Sequence, residues 1–160
     1  MLHKYALSDY QLSIALPTDV TDALGLDESI FTIGGTGDNG EGSFLGELTA
    51  ERDDDTISTV ADATGSWVHN KSRAIKGTIS LKIRQVSDDV IKLINLCNYY
   101  YDSFADGVTL SITKAGSDVV RGVDCYIKKM PSLDYTDTAG ELTWDFTCGQ
   151  VLFVPKGENI

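Results

Sequence analysis

Residues 74–85 read AIKGTISLKIRQ. Ile75, Gly77, Ile79, Leu81 and Ile83 fall on one side of this run, and Lys76, Thr78, Ser80, Lys82 and Arg84 on the other. A period of two marks a strand with one buried and one wetted face. The run upstream, FLGELTAERD at 44–53, sets Glu47, Thr49, Glu51 and Asp53 on alternate positions. Paired antiparallel, it offers carboxylates to Lys76, Lys82 and Arg84. At roughly 0.2–1 kcal/mol per cross-strand pair, these contacts set register more than stability.

Between the two strands lies TISTVADATGSWVHNKSR at 56–73. It is too polar to be core, and a structureless connection of that length is uncommon in a compact domain. It reads as the far end of a long hairpin spanning 43–86, which needs a partner to bury it. Directly after it, Ser87 can cap the free N–H groups of a helix over 87–104, with Asp88 and Asp89 at the positive end of its dipole. Val90, Leu93, Ile94, Cys97 and Tyr101 keep helical spacing and imply one buried face, and Gly107 is a plausible stop.

Elsewhere, residues 10–16 alternate as a strand ended by Pro17, and Thr18 can cap a single helical turn over 18–24 stopped by Gly25. Residues 29–33 are a further short strand, followed by the glycine-rich GGTGDNGEGS. Residues 108–114 and 119–129 make a hairpin about Ala115-Gly116-Ser117-Asp118. Pro131 ends that ladder. In the last strand Leu142, Trp144, Phe146, Cys148, Leu152 and Val154 point inward, with an irregularity at Gly149-Gln150. Thr143, Asp145 and Thr147 face the other way. The tally is about eight strands and one well-formed helix, so the fold is mainly β: an antiparallel sandwich or barrel with a packed helix and a protruding hairpin. At 160 residues, 1–160 reads as a single domain.

Lys+Arg number 13 against 24 Asp+Glu, a net charge of −11, which argues against binding nucleic acid by neutralising its backbone. The simplest use of that charge is solubility. No apolar h-region marks a signal peptide, and no run approaches the roughly 20 apolar residues of a membrane helix, so no membrane anchor is expected. Cys97, Cys125 and Cys148 are odd in number and widely spaced, neither a disulfide framework nor a zinc site. They read as small buried hydrophobes, with a disulfide between subunits as the lesser alternative.

Gly35, Gly37 and Gly40 satisfy G-x-G-x-x-G, but a strand follows where a dinucleotide site needs a helix N-terminus. Asp53, Asp54 and Asp55 invite a calcium reading, yet lack the alternating ligands and glycine of a calcium loop. A solvated acidic turn is the plainer reading; a patch meeting Lys71 and Arg73 of a neighbouring copy is another. His3 and His69 accompany no nucleophile or metalloprotease motif. No catalytic residue, metal or cofactor is expected, and the chain does not read as an enzyme. Trp67, on an otherwise polar protrusion, is the expected anchor of an interface. Of the consecutive Tyr99, Tyr100 and Tyr101, at least one ring must face a partner or solvent.

In their order, GELTAERDDD (46–55), NKSRAIKGTISLKIRQ (70–85) running into SDDVIKLI (87–94), and YIKKMPSLDYTDTAGELTWDFTCGQVLFV (126–154) resemble the tail tube proteins of contractile-tailed bacteriophages. The resemblance implies stacked hexameric rings joined head to tail, in a virion tail assembled in the host cytoplasm. Its implied partners are further copies of the chain, a tail sheath protein, the baseplate and a tail terminator. Genomic DNA is implied to pass through the lumen without specific binding. On this reading Asp53, Asp54, Asp55, Trp67, Lys71 and Arg73 lie at inter-subunit contacts. Glu47, Thr49, Glu51, Thr143, Asp145 and Thr147 are candidates to face a net acidic lumen. The related inner tubes of type VI secretion systems and pyocins share the architecture, so a non-phage injection tube is a second reading. A monomeric β-sandwich binding module of a virion is a third; it accounts for the strands and Trp67, but not for the long hairpin with a helix directly after it.

Overall fold

The computed structural model describes residues 3–34, 45–114 and 116–154. The glycine-rich stretch from Gly35 to Gly40, Ala115 of the expected turn and the tail PKGENI lie outside them. The described chain runs as β1 (Tyr10–Ala15), α1 (Thr18–Leu24), β2 (Ile30–Gly34), β3 (Leu45–Arg52), β4 (Ile57–Ala61), β5 (Trp67–Lys71), β6 (Gly77–Arg84), α2 (Asp89–Asp102), β7 (Val108–Lys114), β8 (Ser117–Ile127) and β9 (Glu141–Phe153). A short 3-10 turn, Leu7–Asp9, precedes β1.

Seven strands form one sheet in the order β2-β1-β7-β8-β9-β6-β3, and every pairing is antiparallel. The sheet curls into a half-barrel. Its edge strands approach each other at one end, where a Cβ on Gly34 of β2 would lie 2.6 Å from Leu45 Cδ2 of β3. Among the described residues, β4 and β5 pair only with each other.

Strict alternation fills the core. Gly77, Ile79, Leu81 and Ile83 of β6 are buried, as the period of two requires, and Leu142, Trp144, Phe146 and Cys148 of β9 are buried beside them. Leu12, Ile14, Leu110 and Ile112 extend the same face across β1 and β7. α2 contributes Val90, Leu93 and Leu96, with Ile94 and Cys97 half-buried against the cluster. Leu93 thus shares one core with Trp144 and Phe146, as the helical spacing implies.

Several local expectations are corrected. Thr18 is the first residue of α1 rather than its cap; Pro17 holds the cap position, and its carbonyl accepts from the N–H of Val20 and Thr21 and from Thr21 Oγ1. Gly25 does end α1, in the left-handed region at φ 67°. α2 begins at Asp89 with Asp88 at its cap, and Ser87 Oγ accepts from the Asp89 N–H at 3.3 Å. α2 stops at Asp102, well before Gly107. Gly107 instead allows a close approach between strands, since a Cβ there would meet Asp124 Oδ1 at 2.6 Å and the Cys125 nitrogen at 2.9 Å. In β9, Val151 is buried where Leu152 and Val154 were expected. The register of β7 against β8 slips between Val108 and Leu110, beside Asp124 at φ 56°, and burial in β8 jumps from Gly122 to Cys125. β9 keeps step with β8 and changes phase with it.

Candidate functional site

Two surfaces stand out. The first is the polar face of β3, β6 and β9, turned away from the core. The register sets its residues in rows: Glu47, Lys82 and Thr143; Thr49, Ser80 and Asp145; Glu51, Thr78 and Thr147. All six residues singled out in β3 and β9 therefore share one face, bridged by β6. Lys82 Nζ lies 3.7 Å from Glu47 Oε2, and Thr49 Oγ1 donates to Glu47 Oε1 at 3.3 Å. Ser80 Oγ donates to Asp145 Oδ1 at 2.6 Å.

Of the three basic residues expected to meet β3 carboxylates, only Lys82 does. Arg84 is opposite Glu141 of β9, Glu51 is opposite Thr78, and the carbonyl of Lys76 accepts from the Asp53 N–H. The face thus carries Glu47, Glu51, Asp145 and Glu141 against Lys82 and Arg84, and is net acidic.

The second surface is the β4–β5 hairpin. All of its strand residues are exposed. Ile57, Thr59, Ala61, Trp67, His69 and Lys71 occupy one face; Val60 and Val68 meet on the other. Trp67, Ile57, Val60 and Val68 are each about 60% exposed or more. An isolated two-stranded hairpin is marginal in water, so apolar groups on both faces call for cover. Ile57 and Val60 stand three apart and Trp67 and Val68 are adjacent, so no period of two marked Ile57, Val60 or Val68 in the sequence. At the tip, Asp62 Oδ1 accepts from the Thr64 N–H at 2.9 Å, Thr64 Oγ1 at 2.6 Å and the Ser66 N–H at 3.1 Å. These donors hold the Asp62 carboxyl below its ordinary value.

The six expected contact residues divide along this hairpin. Trp67 opens β5 at the tip, paired with Ala61. Lys71 closes β5 at the root, where the Ser72 N–H donates to the Thr56 carbonyl at 2.8 Å, and Asp53, Asp54, Asp55 and Arg73 lie just outside the ladder, all exposed. No ion pair joins the aspartates to Lys71 or Arg73 among the described residues.

A residue the sequence did not single out locks the hairpin root to the sheet. Arg52 Nε donates to the Val151 carbonyl at 2.9 Å, and its guanidinium lies 5.3 Å from the Phe153 ring centroid. Arg52 pairs in register with Gly77, where a Cβ would stand 2.1 Å from the Glu51 carbonyl oxygen and 2.8 Å from Val151 Cγ2. Beside the end of α2, Tyr100, Phe104, Tyr126 and Met130 line an open groove of about 670 Å³. Tyr101 is 90% exposed and Phe104 92%, so Tyr101 leaves the buried face expected for it.

The half-barrel is the fold of tube-type subunits. It matches the sheath/tube terminator of an extracellular contractile injection system (PVC) at TM-score 0.55 and 12% identity, over 96% of this chain and 99% of that one. The sheath-tube complex of the same system gives TM-score 0.56 at 9% identity, over 94% and 90%. A chain of the anti-feeding prophage baseplate gives 0.53 at 10%, over 96% and 97%. At such identities the likeness is one of fold. No curated protein sequence matches the chain. Residues 21–154 match the family profile described as "Bacteriophage PhiTE tail tube protein". The chain belongs to that phage tail tube family and is a structural component of a tail.

Proposed function

We propose that copies of this chain assemble into hexameric rings stacked head to tail, forming the inner tube of a contractile phage tail through which DNA is ejected. The observation that carries assembly is the β4–β5 hairpin, apolar on both faces and covered on neither. Contacts made head to tail generate rings or filaments according to whether the rotation closes. The open edges at β2 and β3 are pairing templates that a ring of copies would use up.

The polar face of β3, β6 and β9 lines the channel on this reading. DNA carries about one negative charge per 1.7 Å of axis, and a wall rich in Lys and Arg would hold it by releasing counterions. A net acidic wall offers no such sites, and a narrow channel focuses a field of one sign. DNA then slides without specific binding. Sheath, baseplate and tail terminator are the partners such a tube requires at its outer wall and ends.

Negative-stain microscopy of the purified chain at high concentration tests the reading. Rings or tubes are expected. A dispersed monomer at every concentration would favour a solitary β binding module instead.

A further inference from the structure

Cys125 of β8 and Cys148 of β9 stand directly opposite each other in the antiparallel register. Their Sγ atoms are 2.8 Å apart, and both residues are buried. Directly opposed residues on antiparallel strands have Cα atoms about 4.5–5.5 Å apart, within the roughly 4.4–6.8 Å that a disulfide spans. The room for two sulfurs is made by Gly122, where a Cβ would lie 2.9 Å from Cys125 Sγ and 3.0 Å from Cys148 Sγ. We propose that Cys125 and Cys148 form an intrachain disulfide that staples β8 to β9 in the middle of the seven-stranded sheet.

The oxidant is a small-molecule disulfide. One of the two cysteines, as its thiolate, attacks one of the reagent's sulfurs and releases one small thiol. The other loses its proton and attacks the cysteine sulfur of the mixed disulfide, releasing the second. The two protein thiols give up two protons and two electrons in all, and the reagent is reduced to two thiols. In the closed sheet the Cys125 S–H donates to Cys148, which lowers the Cys148 thiol, while that hydrogen bond and burial raise Cys125. Both sulfurs are covered in the closed sheet, so exchange takes place as the strands fold or open locally. Once formed, the bond is shielded. Cys97 lies half-buried on α2, and burial raises its thiol as well.

The test takes the full chain, purified reduced, and incubates it with oxidised glutathione or with dithiothreitol. Each sample is denatured, its thiols are counted, and its peptides are mapped without reduction. The reduced sample should show three reactive thiols and the oxidised one only Cys97, with the Cys125 peptide joined to that of Cys148. The Cys97→Ser variant should lose both of its thiols on oxidation. Oxidation should raise the melting temperature by roughly 5–10 °C in the natural chain and leave Cys148→Ser unmoved. Three reactive thiols after oxidation, or a linkage through Cys97, would overturn the proposal. A bond formed without any rise in melting temperature would overturn its stapling role.

Discussion

Leu93 and Tyr101 lie on the same helical stripe of α2, yet Leu93 is fully buried and Tyr101 is 90% exposed. Leu93→Ala should therefore cost about 2–5 kcal/mol, whereas Tyr101→Ala should stay within roughly half a kcal/mol. Urea denaturation of the two variants separates the cases; equal losses would misplace the helix. Period alone put both residues in the core. It reports which side of a helix is apolar, and not where the surface beneath it ends: Tyr101 sits one residue from the end of α2. Gly107 and Gly122 were opaque for a related reason. Each is required by a neighbour distant in sequence, Asp124 for the one and the paired sulfurs for the other. Asp62 offers a second residue-scale prediction. Its folded pKa is lowered by hydrogen bonds from Thr64, Ser66 and Gly65. A lowered carboxyl contributes stability that is present above its unfolded value and lost as pH falls through the folded one. The tip should accordingly hold at neutral pH and loosen only below about pH 4, visible as a shift of the Thr64 amide resonance. A loosening between pH 5 and 8 would contradict this.

The β4–β5 hairpin tests the account at the level of an element. Its root is closed by the Ser72 N–H on the Thr56 carbonyl, so residues 57–71 can be replaced by a short turn without cutting the β3–β6 ladder. The shortened chain should keep its circular dichroism spectrum and fail to elongate into tubes. Long tubes from it would remove the hairpin from assembly. A deletion must take both strands, because losing β4 alone strands β5 without a partner. The existence of a long excursion between β3 and β6 was legible, since two alternating strands flank a polar run. That its far end forms a two-stranded sheet of its own, apart from the β3–β6 ladder, was not, because Ile57 and Val60, like Trp67 and Val68, fall on opposite faces and leave no period of two. Strand pairing was legible only in part. Glu47 meets Lys82, but Arg84 lies past the end of the β3 ladder and has Glu141 of β9 as its register partner, a strand that arrives only late in the chain. The phase change in β9 follows an irregularity in β8 at Asp124, and so was visible only as a local oddity at Gly149-Gln150.

At the scale of the whole molecule, charge and architecture meet on one face. The rows across β3, β6 and β9 gather Glu47, Glu51, Asp145 and Glu141 against two basic residues. If this face lines a channel, Glu51→Lys with Asp145→Lys should slow DNA release from virions and make the rate rise with ionic strength, since each new phosphate contact is salt-dependent. Dye-reported ejection kinetics at two salt concentrations check this; an unchanged rate would move the face out of the channel. A cryo-electron microscopy map of the assembled tube reads the central claim most directly. The expected map has six copies per ring, Glu47, Thr49, Glu51, Thr143, Asp145 and Thr147 turned to the axis, and Trp67 buried against a neighbouring copy. A map with that polar face on the outer wall and the β4–β5 hairpin in solvent would contradict it.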